Sequence, residues 1–109
     1  MMSIENNFNQ ETKEITQEQV IEKIIADPED RELLGQFIDQ LQAKVEEGET
    51  SDLDFNIELA GLYEEIAQDV PAWAEFAGQS YYDAATIANQ EGNKALYEEL
   101  LAKSRKFSF

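Results

Sequence analysis

The spacing of apolar residues along the chain predicts helices. After a polar segment over residues 1–14, expected to form a flexible arm, a first set of apolar residues recurs at helical spacing: Val20, Ile21, Ile24 and Ile25. Thr16 and Gln19 precede this set as a capping box. Pro28 disfavours helical geometry in the residue before it. The first helix is therefore predicted to be short, over about residues 17–26.

Two further amphipathic helices are predicted in the first half of the chain. Asp27 is predicted to cap the second helix, with Pro28 in its first turn and Gly48 after its end. The third is predicted over about residues 54–69, ending before Pro71. Their apolar faces are Leu34, Phe37, Ile38, Leu41 and Val45, and Phe55, Leu59, Leu62 and Ile66.

The second half of the chain predicts two more helices, over about residues 72–90 and 94–106. Small residues at helical spacing in the fourth helix would allow close approach of a neighbouring helix. No segment shows the alternating pattern of a β-strand. The predicted fold class is all-α: a compact five-helix antiparallel bundle or helical-hairpin array, folded as a single domain over residues 15–109 with a short first helix.

The fourth and fifth predicted helices also carry a partial family resemblance. Trp73-Ala-Glu-Phe76-Ala77 and Tyr81-Tyr82-Asp-Ala84 are followed by Gly92-Asn93, and this order resembles the tetratricopeptide class. The resemblance covers about 35 residues, and the earlier half of the chain lacks the repeat's period of about 34 residues. What it implies is a helical adaptor or chaperone module that binds an apolar peptide.

Charge is the strongest compositional feature. The chain has 24 acidic and 8 basic residues, a net charge of −16, and between Val45 and Asn93 it has no Lys or Arg. Such a field repels nucleic acid and anionic membranes and attracts basic protein surfaces. We therefore expect a protein partner with a basic surface, with no direct binding of nucleic acid and no membrane association. A purely solubilising role for the charge is the alternative.

The composition leaves little room for catalysis. The chain has no Cys and no His, which excludes thiolate and imidazole chemistry, and its isolated glycines form no phosphate-binding loop. No catalytic, metal-binding or cofactor-binding residue is predicted, and we expect a non-enzymatic protein. The chain starts without a secretory pattern and has no long apolar run, so a cytoplasmic location is expected.

The segment DLDFNIE, from Asp52 to Glu58, has the alternating oxygen ligands of a calcium loop. Such a loop needs Gly at its sixth position and Glu at its twelfth, where this chain has Ile57 and Tyr63. We therefore predict that Asp52 or Asp54 caps the third helix instead.

Two stripes of carboxylates are the main candidate site. The α3 stripe, on the third predicted helix, and the α2 stripe, on the second, are predicted to bind a basic partner surface as a regulator or inhibitor. If the stripes lie side by side, the surface would imitate nucleic acid. Gly61 lies within the α3 stripe and either allows close helix packing or flattens the contact surface. The α3 stripe is Asp54, Glu58, Glu65 and Asp69, and the α2 stripe is Glu32, Asp39 and Glu46.

Two further predictions concern aromatic residues. A groove formed by Trp73, Phe76, Tyr81 and Tyr82 is the alternative site, for an apolar peptide, although a core role is favoured for these rings. The C-terminal segment from Lys103 to Phe109 reverses the charge of the chain and ends in two aromatics. It is expected to fold back onto the acidic body, the alternative being a docking peptide.

Overall fold

The computed structural model describes residues 14–107. This part of the chain forms five α-helices and no β-strand, which confirms the all-α prediction. A short 3₁₀ turn, Pro71–Trp73, precedes the fourth helix. The helices are α1 (Gln17–Ala26), α2 (Glu32–Glu46), α3 (Asp52–Ala67), α4 (Ala74–Gln90) and α5 (Lys94–Lys106).

The start of α1 follows the sequence prediction. The Thr16 hydroxyl accepts a hydrogen bond from the Gln19 amide at 3.2 Å, and the Gln19 side chain accepts one from the Thr16 amide at 2.9 Å. The preceding backbone is held against α2, because Gln40 exchanges two hydrogen bonds with the main chain of Ile15. Residues 1–13 of the predicted arm lie outside the described residues. Its last residue, Glu14, pairs with Lys44 at 3.2 Å.

The start of α2 differs from the prediction. Asp27 does not cap this helix; its carboxylate accepts a hydrogen bond from the Glu29 amide at 3.3 Å and closes a local turn. The helix begins later, at Glu32, whose amide donates to the Asp30 carboxylate. The predicted cap is wrong because the Asp27 side chain accepts from an amide of its own turn, a bonding pattern that competes with a helix start.

The start of α3 also differs. The Ser51 hydroxyl accepts from the Asp54 amide at 3.1 Å, so Ser51 is the cap in place of Asp52 or Asp54. Both aspartates lie in the first turn, where their charge favours the positive end of the helix dipole. The segment DLDFNIE is thus helical throughout and does not form a calcium loop.

Two hydrophobic clusters share α3. The first cluster joins α1, α2, α3 and Trp73, and the second joins α3, α4 and α5. Within α3, Leu59, Leu62 and Ile66 belong to the first cluster and Ala60 to the second. The Cα atoms extend over 54 × 34 × 14 Å, a flattened arrangement in which α3 connects the two halves.

Close packing of α4 against α5 depends on small residues. Ala77, Ala84, Ala85 and Ala88 are fully buried, which confirms the predicted role of the small residues in α4. The Ser104 hydroxyl donates to the Gly78 carbonyl at 3.0 Å. A Cβ atom at Gly78 would lie 3.2 Å from the Cβ of Phe107 and 3.4 Å from two carbonyl oxygens of the chain's last described turn.

Replacing Gly78 with Ala should therefore destabilise the protein. We expect the free energy of unfolding to fall by about 1–3 kcal/mol in urea titrations followed by circular dichroism, because an added methyl overpacks this contact. Gly35→Ala is the control, since a Cβ atom there meets nothing within 4 Å. It should raise stability by about 0.5–1 kcal/mol. A stabilising Gly78→Ala substitution would contradict the contact.

Candidate interaction surfaces

The α3 stripe is exposed along its length. Asp54, Glu58 and Glu65 lie on α3, whereas Asp69 lies just beyond the helix, which ends at Ala67 rather than at the predicted Asp69. Gln17 of α1 donates to the Glu58 carboxylate at 3.4 Å. The α3 stripe therefore borders α1.

Gly61 marks an open position within the α3 stripe. A Cβ atom at Gly61 would meet no other atom within 4 Å. The suggestion that Gly61 allows close helix packing is therefore wrong, because no neighbouring helix lies against it. The remaining interpretation is a flattened surface open to an approaching molecule.

The α2 stripe is also exposed but occupies a different position. Glu32, Asp39 and Glu46 lie opposite the buried face of α2, the face that enters the first cluster. No hydrogen bond or ion pair within residues 14–107 joins this stripe to the α3 stripe. Glu46 and Asp52 line the same shallow pocket, which also includes Gln42, Val45 and Phe55. Nowhere in the described range are three or more acidic side chains placed to hold a metal ion.

The chain's own cations leave both stripes unpaired. The structure contains two ion pairs among residues 14–107, Lys23 with Asp30 and Lys44 with Glu14. Neither pair includes a residue of the α2 stripe or the α3 stripe. The carboxylates of both stripes therefore face solvent without an internal counter-charge in this part of the chain.

The four aromatics of the alternative groove do not line one surface. Trp73 is 3% exposed within the first cluster, and Tyr81 is 5% exposed within the second. Phe76 and Tyr82 are 39% and 52% exposed. The core role is confirmed for Trp73 and Tyr81. Phe76 and Tyr82 are exposed, but they do not form the predicted groove because Trp73 and Tyr81 are not at the surface beside them.

Tyr81 has a partner that sequence reasoning missed. Its hydroxyl donates to a Glu64 carboxylate oxygen at 2.7 Å. Burial, followed by the hydrogen bond and negative charge of Glu64, raises the pKa of Tyr81. Glu64 and Tyr81 lie on different helices, so no local sequence pattern pairs them.

Phe107 was not predicted as a contact of Tyr81 either. Its ring stacks on Tyr81 with centroids 6.1 Å apart, and Lys103 lies 5.6 Å from the Tyr81 centroid. The C-terminal segment thus packs against α4 as far as residue 107; Ser108 and Phe109 lie outside the described residues. The expected meeting of its cations with the acidic body is not seen, since no ion pair within residues 14–107 includes Lys103, Arg105 or Lys106. The contacts are aromatic rather than ionic. Phe107 also lines a cavity of about 300 Å³ with Glu64, Ala67, Gln68, Pro71, Ala74 and Lys106.

A second aromatic cluster lies at the start of α4. Tyr63, Trp73 and Phe76 contact one another with ring centroids 5.1–5.8 Å apart. The guanidinium carbon of Arg31 lies 4.8 Å from the Trp73 centroid and 5.7 Å from that of Phe76. Burial raises the pKa of Tyr63, and the charge of Arg31 opposes this shift. No local sequence pattern pairs Arg31 with these rings.

Comparison with known proteins finds no matching family, curated protein or solved structure. No helix within residues 14–107 combines the length and the apolar character needed to cross a membrane.

Proposed function

We propose that this protein binds a basic surface of a partner protein through the α3 stripe and acts without catalysis, as a regulator or inhibitor of that partner. One observation supports the proposal most directly: the stripe carboxylates are exposed, and no cation in residues 14–107 pairs with them. Exposed like charges along one helix gain most when an opposite charge approaches.

The shape of the α3 stripe also supports this function. The three carboxylates on α3 extend over about 16 Å of helix axis, at about 1.5 Å per residue. Gly61 leaves a gap between Glu58 and Glu65 in which no side chain projects. A flat, acidic strip of this size suits several Lys or Arg side chains on a partner's surface.

Nucleic-acid mimicry is not part of the proposal. It would require the α2 stripe and the α3 stripe to lie side by side, and within residues 14–107 no hydrogen bond or ion pair joins the two stripes, whereas Gln17 of α1 bonds to Glu58 of the α3 stripe. The aromatic groove is not proposed either, because Trp73 and Tyr81 are buried in separate clusters.

The test is capture of partners from a lysate of the source organism at about 0.1 M and about 1 M salt. This change shortens the screening length from about 10 Å to about 3 Å. We expect a basic protein that is retained at low salt and lost at high salt. The triple variant Glu58→Gln, Glu65→Gln, Asp69→Asn should weaken its binding roughly tenfold, at about 0.5 kcal/mol per exposed pair.

A control variant with the same change in net charge distinguishes the α3 stripe from the overall negative charge of the protein. The variant Glu91→Gln, Glu98→Gln, Glu99→Gln removes the same number of exposed carboxylates elsewhere and should retain the partner. Equal loss in both variants would show that only net charge matters and would contradict the α3 stripe. Retention of the partner at high salt would contradict an electrostatic surface altogether.

Gly61 offers a second, uncharged test of the same surface. Gly61→Leu should fill the gap between Glu58 and Glu65 with a side chain and weaken capture of the partner, while Gly35→Leu on α2 should leave capture unchanged. Both substitutions begin in open space, so far-ultraviolet circular dichroism should remain that of the unmodified chain. Undiminished capture by Gly61→Leu would exclude this part of the strip from the interface.

A further inference from the structure

Arg31 has an unusual environment for a cation in a strongly acidic protein. It is flanked in sequence by Asp30 and Glu32, yet within residues 14–107 it forms no ion pair and no hydrogen bond through its side chain. Its guanidinium lies instead over the rings of Trp73 and Phe76. The guanidinium therefore contacts aromatic rings, although acidic residues adjoin Arg31 in the sequence.

The backbone of Arg31 is fixed independently of its side chain. Lys23 of α1 pairs with Asp30 at 3.5 Å, and the Asp27 carbonyl accepts from the Asp30 amide at 3.0 Å. The turn before α2 thus has its own hydrogen bonds and its own ion pair. Removing the Arg31 side chain leaves these contacts in place.

The rings form a site with one open side. Tyr63, Trp73 and Phe76 contact one another, and Trp73 meets Phe76 nearly edge to face, with an interplanar angle of 78°. Trp73 is buried and Tyr63 half-buried, whereas Phe76 and Arg31 reach solvent. Trp is the ring that attracts cations most strongly, and a planar guanidinium can also stack on it.

We propose that Tyr63, Trp73 and Phe76 form an arginine-binding site, which Arg31 fills in the free protein and which an arginine of the basic partner occupies in the complex. The resident guanidinium shows the ligand class, because a partner's arginine presents the same group. The proposal rests on the proposed function for its partner and on the ring geometry for its ligand.

Competition between the two arginines has a measurable consequence. Arg31 is tethered beside the rings, so a free arginine binds the unmodified protein weakly. Removal of Arg31 should improve the binding of a guanidinium probe roughly 5- to 30-fold, the ratio that one cation–π contact supports. An uncharged probe of the same shape should gain little, because the attraction depends on the positive charge.

The experiment titrates N-acetyl-arginine amide into the full chain while the fluorescence of Trp73, the single Trp, is recorded. N-acetyl-citrulline amide is the uncharged probe. The variants are Arg31→Ala, the double variant Arg31→Ala, Phe76→Ala, and Lys94→Ala as a charge-matched control at an exposed cation away from the rings. Circular dichroism checks the fold, and Arg31→Gln replaces Arg31→Ala if the alanine variant unfolds.

The expected result is a saturable response to the arginine probe that is tightest in Arg31→Ala, weaker in the unmodified chain and in Lys94→Ala, and lost in the double variant. Equal responses in Arg31→Ala and the unmodified chain, or equal responses to both probes, would overturn the site. This outcome is independent of partner capture. A specific arginine response without a salt-sensitive partner would overturn the proposed function and leave the site standing.

Discussion

Replacing Leu62 with Ala should lower the free energy of unfolding by about 2–5 kcal/mol, one of the two largest effects expected in this chain. Leu62 is 0% exposed and lies in the first cluster, between the α1–α2 hairpin and the rest of the protein. The substitution removes buried methyl groups and leaves a cavity that a fixed helix interface fills only in part. Urea titration followed by circular dichroism measures the effect.

Leu33→Ala provides the comparison for this prediction. Leu33 packs against the same cluster but is only partly buried, so its replacement should cost clearly less than that of Leu62. A similar loss at both positions would contradict the central place of Leu62.

The same titration tests whether the two halves unfold together. Trp73 fluorescence reports on the first cluster, while circular dichroism reports on all five helices. Because α3 contributes residues to both clusters, we expect the two signals to shift together in Leu62→Ala. Separate midpoints would show that α4 and α5 retain their structure without the first cluster.

The sequence predicted those features of the fold that depend on neighbouring residues. The capping box at Thr16 and the end of α5 at Lys106 involve contacts within one or two turns. The predicted caps of α2 and α3 were wrong, because several polar side chains near each helix start can accept hydrogen bonds from backbone amides. Asp27 closed its own turn, and Ser51 took the cap position that Asp52 and Asp54 were expected to fill.

The two-sided burial of α3 was less visible in the sequence. Phe55, Leu59, Leu62 and Ile66 formed a clear apolar face, but Leu53 and Ile57 on another side pack against the second cluster. A helix with two buried sides has a weak amphipathic pattern, so only one face was recognised. Burial on both sides leaves a narrow exposed strip of α3, on which Asp54, Glu58 and Glu65 of the α3 stripe lie.

The candidate sites, like the fold, were predictable from the sequence only in part. Helical spacing predicted that the stripe residues share a side of their helix, and all of them are exposed. Which helix would border each stripe depends on packing, and Gln17 beside Glu58 had no sequence signal. The contacts of Arg31 with Trp73 and of Tyr81 with Glu64 join separate segments, so no local periodicity could reveal them.

Removing residues 103–109 should produce the other large effect, a loss of about 2–4 kcal/mol in the free energy of unfolding. The truncation deletes the Phe107 ring that stacks on Tyr81 and the Ser104 hydroxyl that donates to the Gly78 carbonyl. A partly buried aromatic and a buried hydrogen bond together account for this magnitude. Thermal unfolding followed by circular dichroism should show a correspondingly lower Tm.

Single substitutions identify the physical cause of that loss. Phe107→Ala should reproduce much of the destabilisation, whereas Arg105→Ala should change stability by less than about 0.5 kcal/mol, since Arg105 is exposed and forms no ion pair within residues 14–107. The opposite order would mean that attraction between the terminal cations and the acidic body holds the segment in place. An unchanged Tm after truncation would contradict the packing of Phe107 and favour a docking peptide, because a segment that contributes nothing to the fold remains free to bind elsewhere.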